Sequence, residues 1–391
     1  MWSVSEKLWM VFVIAFSPLF VLAMTTTTTT TTGRPYTSIF SFGDSLADTG
    51  NLFLSSDAPS HHCFFPPNGQ TYFHHVSGRC SDGRLIIDFI AESLGIPLVK
   101  PYLGMKQNMA EAEEEKGGAN FAVIGATALD HSFFKQRGIP IDTNYSLSVQ
   151  LNWFKQFLHH LCNSSPNCNE VIGSSLFLMG EIGGNDFNYA LLVGKSITEI
   201  KTYVPYVINA IASAVNEVIG LGARTLTVPG NLPLGCIAIY LTTYETKDKN
   251  QYDQYGCLKW LNQFAEYYNE KLQSELHRLR GLHPHANIIY ADYYNAALPL
   301  YQDPTKFGFT HGLQICCGMG GAYNFNALED CGNNPGVKAC NDPSQCIGWD
   351  GIHLTEAAYR FIAERLINGS YSLPKFTSSC SNNVRFGYFN S

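Results

Sequence analysis

Ile39-Phe40-Ser41-Phe42-Gly43-Asp44-Ser45-Leu46-Ala47-Asp48-Thr49-Gly50-Asn51 is a short apolar run cut off by a glycine and followed by small and polar residues. The apolar half reads as a buried strand, and Gly43-Asp44-Ser45 breaks it. The Ser45 hydroxyl is thereby left at the carboxyl end of the strand, where ligands bind in open α/β sheets. Ser45 is therefore a candidate nucleophile. The plainer alternative is a strand-to-helix turn in which Ser45 and Asp44 only cap the next helix.

Outward from this stretch, apolar runs of strand length alternate with helical stripes. Leu151, Phe154, Leu158 and Leu161 mark one helix, ahead of the strand-like Leu176-Phe177-Leu178-Met179. Val207, Ile208, Ile211, Val215, Val218 and Ile219 mark a second helix, ending at Gly220 or Gly222, before Thr225-Leu226-Thr227-Val228. A third stripe runs from Leu261 to Leu279, stopped by Gly281 and Pro284, and Ile288-Ile289-Tyr290 follows it. Ala358, Phe361, Ile362 and Leu366 form a last helix. This alternation predicts βαβ units and a mostly parallel sheet covered on both faces.

Three further segments carry chemistry. Asn120 to Ile124 reads as a strand running into Gly125. Gly183-Gly184-Asn185-Asp186 follows the strand-like run at 176–179, and Trp349-Asp350-Gly351-Ile352-His353 puts an Asp three residues before a His. Gly-Asp-Ser-Leu, a Gly-bearing second block, Gly-x-Asn-Asp and Asp-x-x-His, in that order, resemble the GDSL esterase/lipase family of SGNH hydrolases. The resemblance spans roughly Tyr36 to Asn368 and is closest to the plant branch that includes sinapine and acetylajmalan esterases. It implies a three-layer α/β/α sandwich of flavodoxin-like type.

Serine is a weak nucleophile and needs a base. His353 suits that role, since imidazole accepts and returns a proton near neutral pH. A turn brings Asp350 to its Nδ1–H, fixing the tautomer. The resemblance assigns the oxyanion hole to the Ser45 N–H, the Gly125 N–H and the Asn185 amide, donors that need not be deprotonated. Gly125 has an alternative reading as a glycine for tight strand–helix packing. Asp44, Asp48 and Asp186 read as turn ties of Asx type.

The implied activity is hydrolysis of a small-molecule carboxylic ester through an acyl-serine, by a monomer without cofactor. An acyltransferase that hands the acyl group to an alcohol would use the same residues. The third class, an inactive binding protein on a hydrolase fold, sits poorly with Ser45, Asn185, Asp350 and His353 all present. No Gly-x-Ser-x-Gly, P-loop or dinucleotide fingerprint occurs.

Composition bounds the rest. A net charge of −7 without a basic cluster argues against nucleic acid and anionic membrane partners. Lys7 followed by the apolar stretch Leu8–Ala23 is a signal-peptide pattern, assigning 1–24 to a leader for secretion through the ER, to the apoplast or vacuole, without a stable membrane anchor. Thr25–Thr32 belong to a low-complexity lead-in over 25–35, and 36–391 reads as one hydrolase domain. Asn144, Asn163 and Asn368 head glycosylation sequons.

Twelve cysteines suit an oxidising compartment. Short-loop pairs would be Cys162 with Cys168 and Cys340 with Cys346, and Cys236 with Cys257 a longer one, while adjacent Cys316 and Cys317 must reach different partners. No metal site is expected. The paired histidines His61-His62, His74-His75 and His159-His160, with His283 and His285, read as surface residues, and Glu111–Glu115 as a solvated loop.

Overall fold

In the computed structural model, residues 36–376 are described, apart from 56, 107–116, 165–166 and 335. The leader, the Thr-rich lead-in, the acidic run 111–115 and Cys380 lie outside the described residues.

Six strands form one sheet: β1 (Ile39–Ser41), β2 (Gly118–Asn120), β3 (Leu176–Leu178), β4 (Thr225–Pro229), β5 (Asn287–Ala291) and β8 (Ser372–Leu373), in the order β2-β1-β3-β4-β5-β8. All pairings are parallel except that of β5 with β8 at the edge. The small strands β6 (Cys317–Gly318) and β7 (Lys338–Ala339) pair separately. The order 2-1-3-4-5 is that of flavodoxin-like sheets. Its switch point lies between β1 and β3, so a crevice opens at their carboxyl ends.

Alternation of side chains along each strand feeds two separate cores. Phe40, Phe177, Leu226 and Ile288 join one with the helices Leu147–Ser164, Val204–Gly220 and Lys259–Leu282. Ile39, Leu176, Leu178 and Ile289 face the other, with the helices Ile86–Ser93, Tyr293–Gln302 and Glu356–Ile367. The expected three layers follow from that split. Phe154 anchors the first core, its ring centroid 5.4 to 5.6 Å from those of Phe40, Phe42, Phe121 and Phe177. Truncating such a ring to alanine costs about 3–5 kcal/mol.

Two expectations need correction. The second strand is Gly118–Asn120 rather than the run 120–124. Phe121 and Val123 still donate to the carbonyls of Ser41 and Gly43, continuing the ladder past the strand end as both chains turn toward the crevice. Cys340 bonds to Cys316, not to Cys346, because β6 and β7 lay 316 beside 340; Cys346 is a buried free thiol 3.7 Å from the Cys340 sulfur. The other pairs are Cys63–Cys80, Cys162–Cys168, Cys236–Cys257 and Cys317–Cys331. All three sequon asparagines are exposed, although Asn163 sits in the last turn of a helix and not in a loop.

Candidate active site

Gly43 ends β1 with φ +136°, and a Cβ there would stand 2.8 Å from the Glu181 carbonyl. Only glycine permits that approach, which lets Asp44 N–H donate to Glu181 O at 2.8 Å and locks the turns after β1 and β3 together. Asp44 Oδ1 accepts from Leu46 N–H, an Asx turn around Ser45. Asp48 is fully buried and accepts from the N–H groups of Gly50, Asn51, Leu52 and Ile124. Burial pushes its carboxyl up to about 6 against those four donors. Asp48 thus ties the serine turn to the segment leading into Gly125.

The base arrives from the far end of the chain. Asp350 Oδ1 accepts from the N–H groups of Ile352 and His353 at 2.8 and 2.7 Å, and Trp349 N–H donates to His353 O, closing a tight turn. Gly351 is required inside it, since a Cβ would meet the Phe325 ring at 2.2 Å. Trp349 is fully buried, its Nε1–H donating to Asn68 Oδ1 at 2.9 Å. His353 Nδ1 lies 2.7 Å from Asp350 Oδ2, and His353 Nε2 lies 2.8 Å from Ser45 Oγ. All three side chains are buried. Burial alone would raise the Asp350 carboxyl. The charge and hydrogen bond of His353, with His62 behind it, outweigh burial and hold the group well below the usual carboxylate range.

This is a hydrogen-bonded line from a hydroxyl to an imidazole to a carboxylate. It can polarise the serine hydroxyl, take its proton and hold the resulting imidazolium. The match extends along the chain: residues 39–366 fit the GDSL-like Lipase/Acylhydrolase family. The chain belongs to that family. Among its relatives are two GDSL esterase/lipases of Arabidopsis thaliana. One is 54% identical over 93% of this chain and 89% of its own length, the other 51% identical over 94% and 92%. The sinapine esterase of Brassica napus is 53% identical over 89% of each chain. Like these GDSL enzymes, the protein is a carboxylic ester hydrolase.

Around the GDSL serine, the other sequence candidates are placed as follows. Asn185 opens the helix Gly184–Leu192 after β3 and lines the same cleft as Ser45, with Leu46, Leu232, Leu234 and Tyr240. Its Nδ2 donates to Asp44 Oδ2 at 3.1 Å and to Ala126 O at 3.0 Å. Gly125, at φ +77°, sits beside it: Tyr189, one turn on from Asn185, donates its hydroxyl to Gly125 O at 3.0 Å. The N–H groups of Ser45 and Gly125 donate to no described residue. Asp186 is not a local turn tie. It reaches across to accept from Ala128 and Leu129 N–H, with burial pushing its carboxyl up to about 8. Burial, then the charge of Glu181, raises the Asp44 carboxyl well above its usual range, and burial raises that of Glu181 as well.

One residue read as surface belongs here. His62 Nε2 stands 3.7 Å from Asp350 Oδ2, three-quarters buried. No local spacing links the two; a disulfide and Asn68 bring them together, which only the fold reveals. His62, Cys63, Asp350 and His353 also make a cluster with ligand atoms within 4.8 Å of one another. Its donors do not suit a metal, because Cys63 is oxidised in a disulfide while Asp350 and His353 bond each other.

Proposed function

We propose that the chain hydrolyses small soluble esters by the following steps. His353 Nε2 takes the proton of Ser45 Oγ as that oxygen attacks the ester carbonyl. The tetrahedral intermediate collapses, His353 returns the proton to the departing alcohol, and an acyl-serine remains. Water then attacks with His353 again as base, releasing the acid and restoring Ser45. Asp350 fixes the His353 tautomer and stabilises the imidazolium. The observation that carries these roles is the unbroken line Ser45–His353–Asp350, with contacts of 2.8 and 2.7 Å.

The oxyanion falls to the unengaged N–H groups of Ser45 and Gly125, joined by Asn185. For Asn185 to donate, one of its two present bonds must be exchanged. The bond to Asp44 is the longer of the two, at 3.1 against 3.0 Å. Two recesses meet at Ile352. The one lined by Leu46, Asn185 and Leu234 faces the serine and suits the acyl group. The other, lined by His62, Phe325 and Ile239, adjoins His353 and suits the alcohol that His353 must protonate.

An aromatic acyl ester is the substrate class favoured by similarity to a sinapine esterase. The five disulfides among the described residues favour passage through the secretory route. Incubation of purified protein with a hydroxycinnamoyl ester, with and without added alcohols, tests the reaction. Free acid in both arms is the expected product. A new ester of the added alcohol means acyl transfer, and no turnover of any ester removes the proposal.

A further inference from the structure

The short helical turn His62–Phe64 is more firmly tied to the catalytic turn than its surface position in sequence suggests. Cys63, next to His62, is fully buried and bonded to Cys80. Asn68 accepts from Trp349 Nε1–H and donates its own amide to the carbonyls of His62 and Phe65 at 3.1 and 2.9 Å. One buried amide thus spans the residue before Asp350 and the residue bearing the second imidazole. His62 Nε2 lies 3.7 Å from the same Asp350 oxygen that accepts from His353, and the two imidazole rings are 6.5 Å apart.

We propose that His62 is a positioning residue for the ester hydrolase reaction: a second, titrating imidazole on Asp350 whose positive charge keeps His353 in its proton-accepting form at lower pH. The inference rests on the roles given above to Ser45, His353 and Asp350. The charged groups facing His62 are few. Asp350 stands against it, and His353 lies beyond. Glu329 and Asp330 share its recess, and Asp142 acts from further off. His61 stacks on it at 4.4 Å, but burial, then the neighbouring imidazoles, push His61 down to about 3, so it is a neutral ring. Burial disfavours charge on His62, yet Asp350 and the outer carboxylates outweigh it, and its titration moves up from the ordinary imidazole value.

The sign follows directly. A cation on His62 opposes a second cation on His353, so the active neutral form of His353 persists to lower pH. Removing that charge moves the acid limb of kcat/KM upward. At 6.5 Å, with one side open to solvent, the expected move is on the order of one pH unit, a loss of roughly tenfold on the limb.

His62→Gln and His62→Lys decide it, each measured as a full pH profile beside its melting temperature. The expected result is an acid limb shifted up in His62→Gln and near wild type in His62→Lys. Equal limbs in wild type and His62→Gln overturn the proposal, as do equal shifts in both variants. Should His62→Gln fail to fold, histidine proton titration of the wild type replaces it. The resonances of His62 and His353 must show coupled titration curves, and two independent curves overturn the proposal. Active Ser45→Ala or His353→Ala protein would instead remove the underlying triad assignment, so the two failures are distinguishable.

Discussion

Asp350→Asn exchanges one oxygen for a nitrogen, and the geometry dictates which way the amide settles. Asp350 Oδ1 holds two backbone N–H groups at 2.8 and 2.7 Å, and an Asn NH2 cannot accept either. The Asn oxygen therefore stays with the backbone and its Nδ2 faces His353. That nitrogen donates, so His353 Nδ1 must accept and the ring proton moves to Nε2, pointing at Ser45 Oγ. The base is then in the wrong tautomer for proton abstraction. In a serine-hydrolase triad this costs about 10⁴ in kcat, or about 5.5 kcal/mol of barrier.

Stability should change far less, because both backbone bonds survive and one side-chain bond is weakened, a change of about 1–1.5 kcal/mol. The wild-type carboxyl titrates well below its usual range, so the stability it contributes is fully present above about pH 4 and is lost only as pH falls through its folded-state value. The acid limb of activity above pH 4 consequently does not belong to Asp350. Steady-state kinetics with a chromogenic ester, beside thermal melts at pH 7, measure both quantities. An Asp350→Asn protein that melts normally and keeps more than a tenth of wild-type kcat would refute the tautomer argument.

Ser45→Ala should fold and lose activity by roughly three to six orders of magnitude. A fluorophosphonate probe should label Ser45 alone by mass spectrometry, and a label on another serine contradicts the assignment. Asn185→Ala should lower kcat by about 10²–10³ if its amide serves the oxyanion. Asn185→Asp should be worse, since it adds negative charge where charge must develop; an Asp variant as active as wild type removes the role. Asn68→Ala strands the indole N–H of fully buried Trp349 and frees two carbonyls, and should cost about 2–4 kcal/mol in chemical denaturation. A cost under about half a kcal/mol means that Asn68 does not hold the His62 turn to the catalytic turn.

The features legible in the sequence were those carried by local pattern. The apolar run Ile39–Phe42 announces a buried strand, and stripes such as Val207–Ile219 announce their helices, because both are patterns of neighbouring residues. The Asp350–His353 turn was legible for the same reason. What escaped depends on partners distant in the chain. The Asn120–Ile124 run looks more strand-like than Gly118–Asn120, yet register against β1 begins the ladder two residues earlier. Cys340 stands six residues from Cys346, but the β6–β7 pairing delivers Cys316 instead. His62 carries no sign of its neighbour, since a buried asparagine and a disulfide make that connection.

Ser45 sits just after the first strand, while Asp350 and His353 lie just before the final helix, 308 residues separating the serine from its base. During synthesis the nucleophile leaves the ribosome before the base, with β2 to β5 lying between them in the chain. A nascent or truncated chain can hold a complete serine turn and still be chemically inert. Esterase activity thus reports that β1 to β5 have assembled, and a chain that hydrolyses its substrate has already passed its own test of assembly.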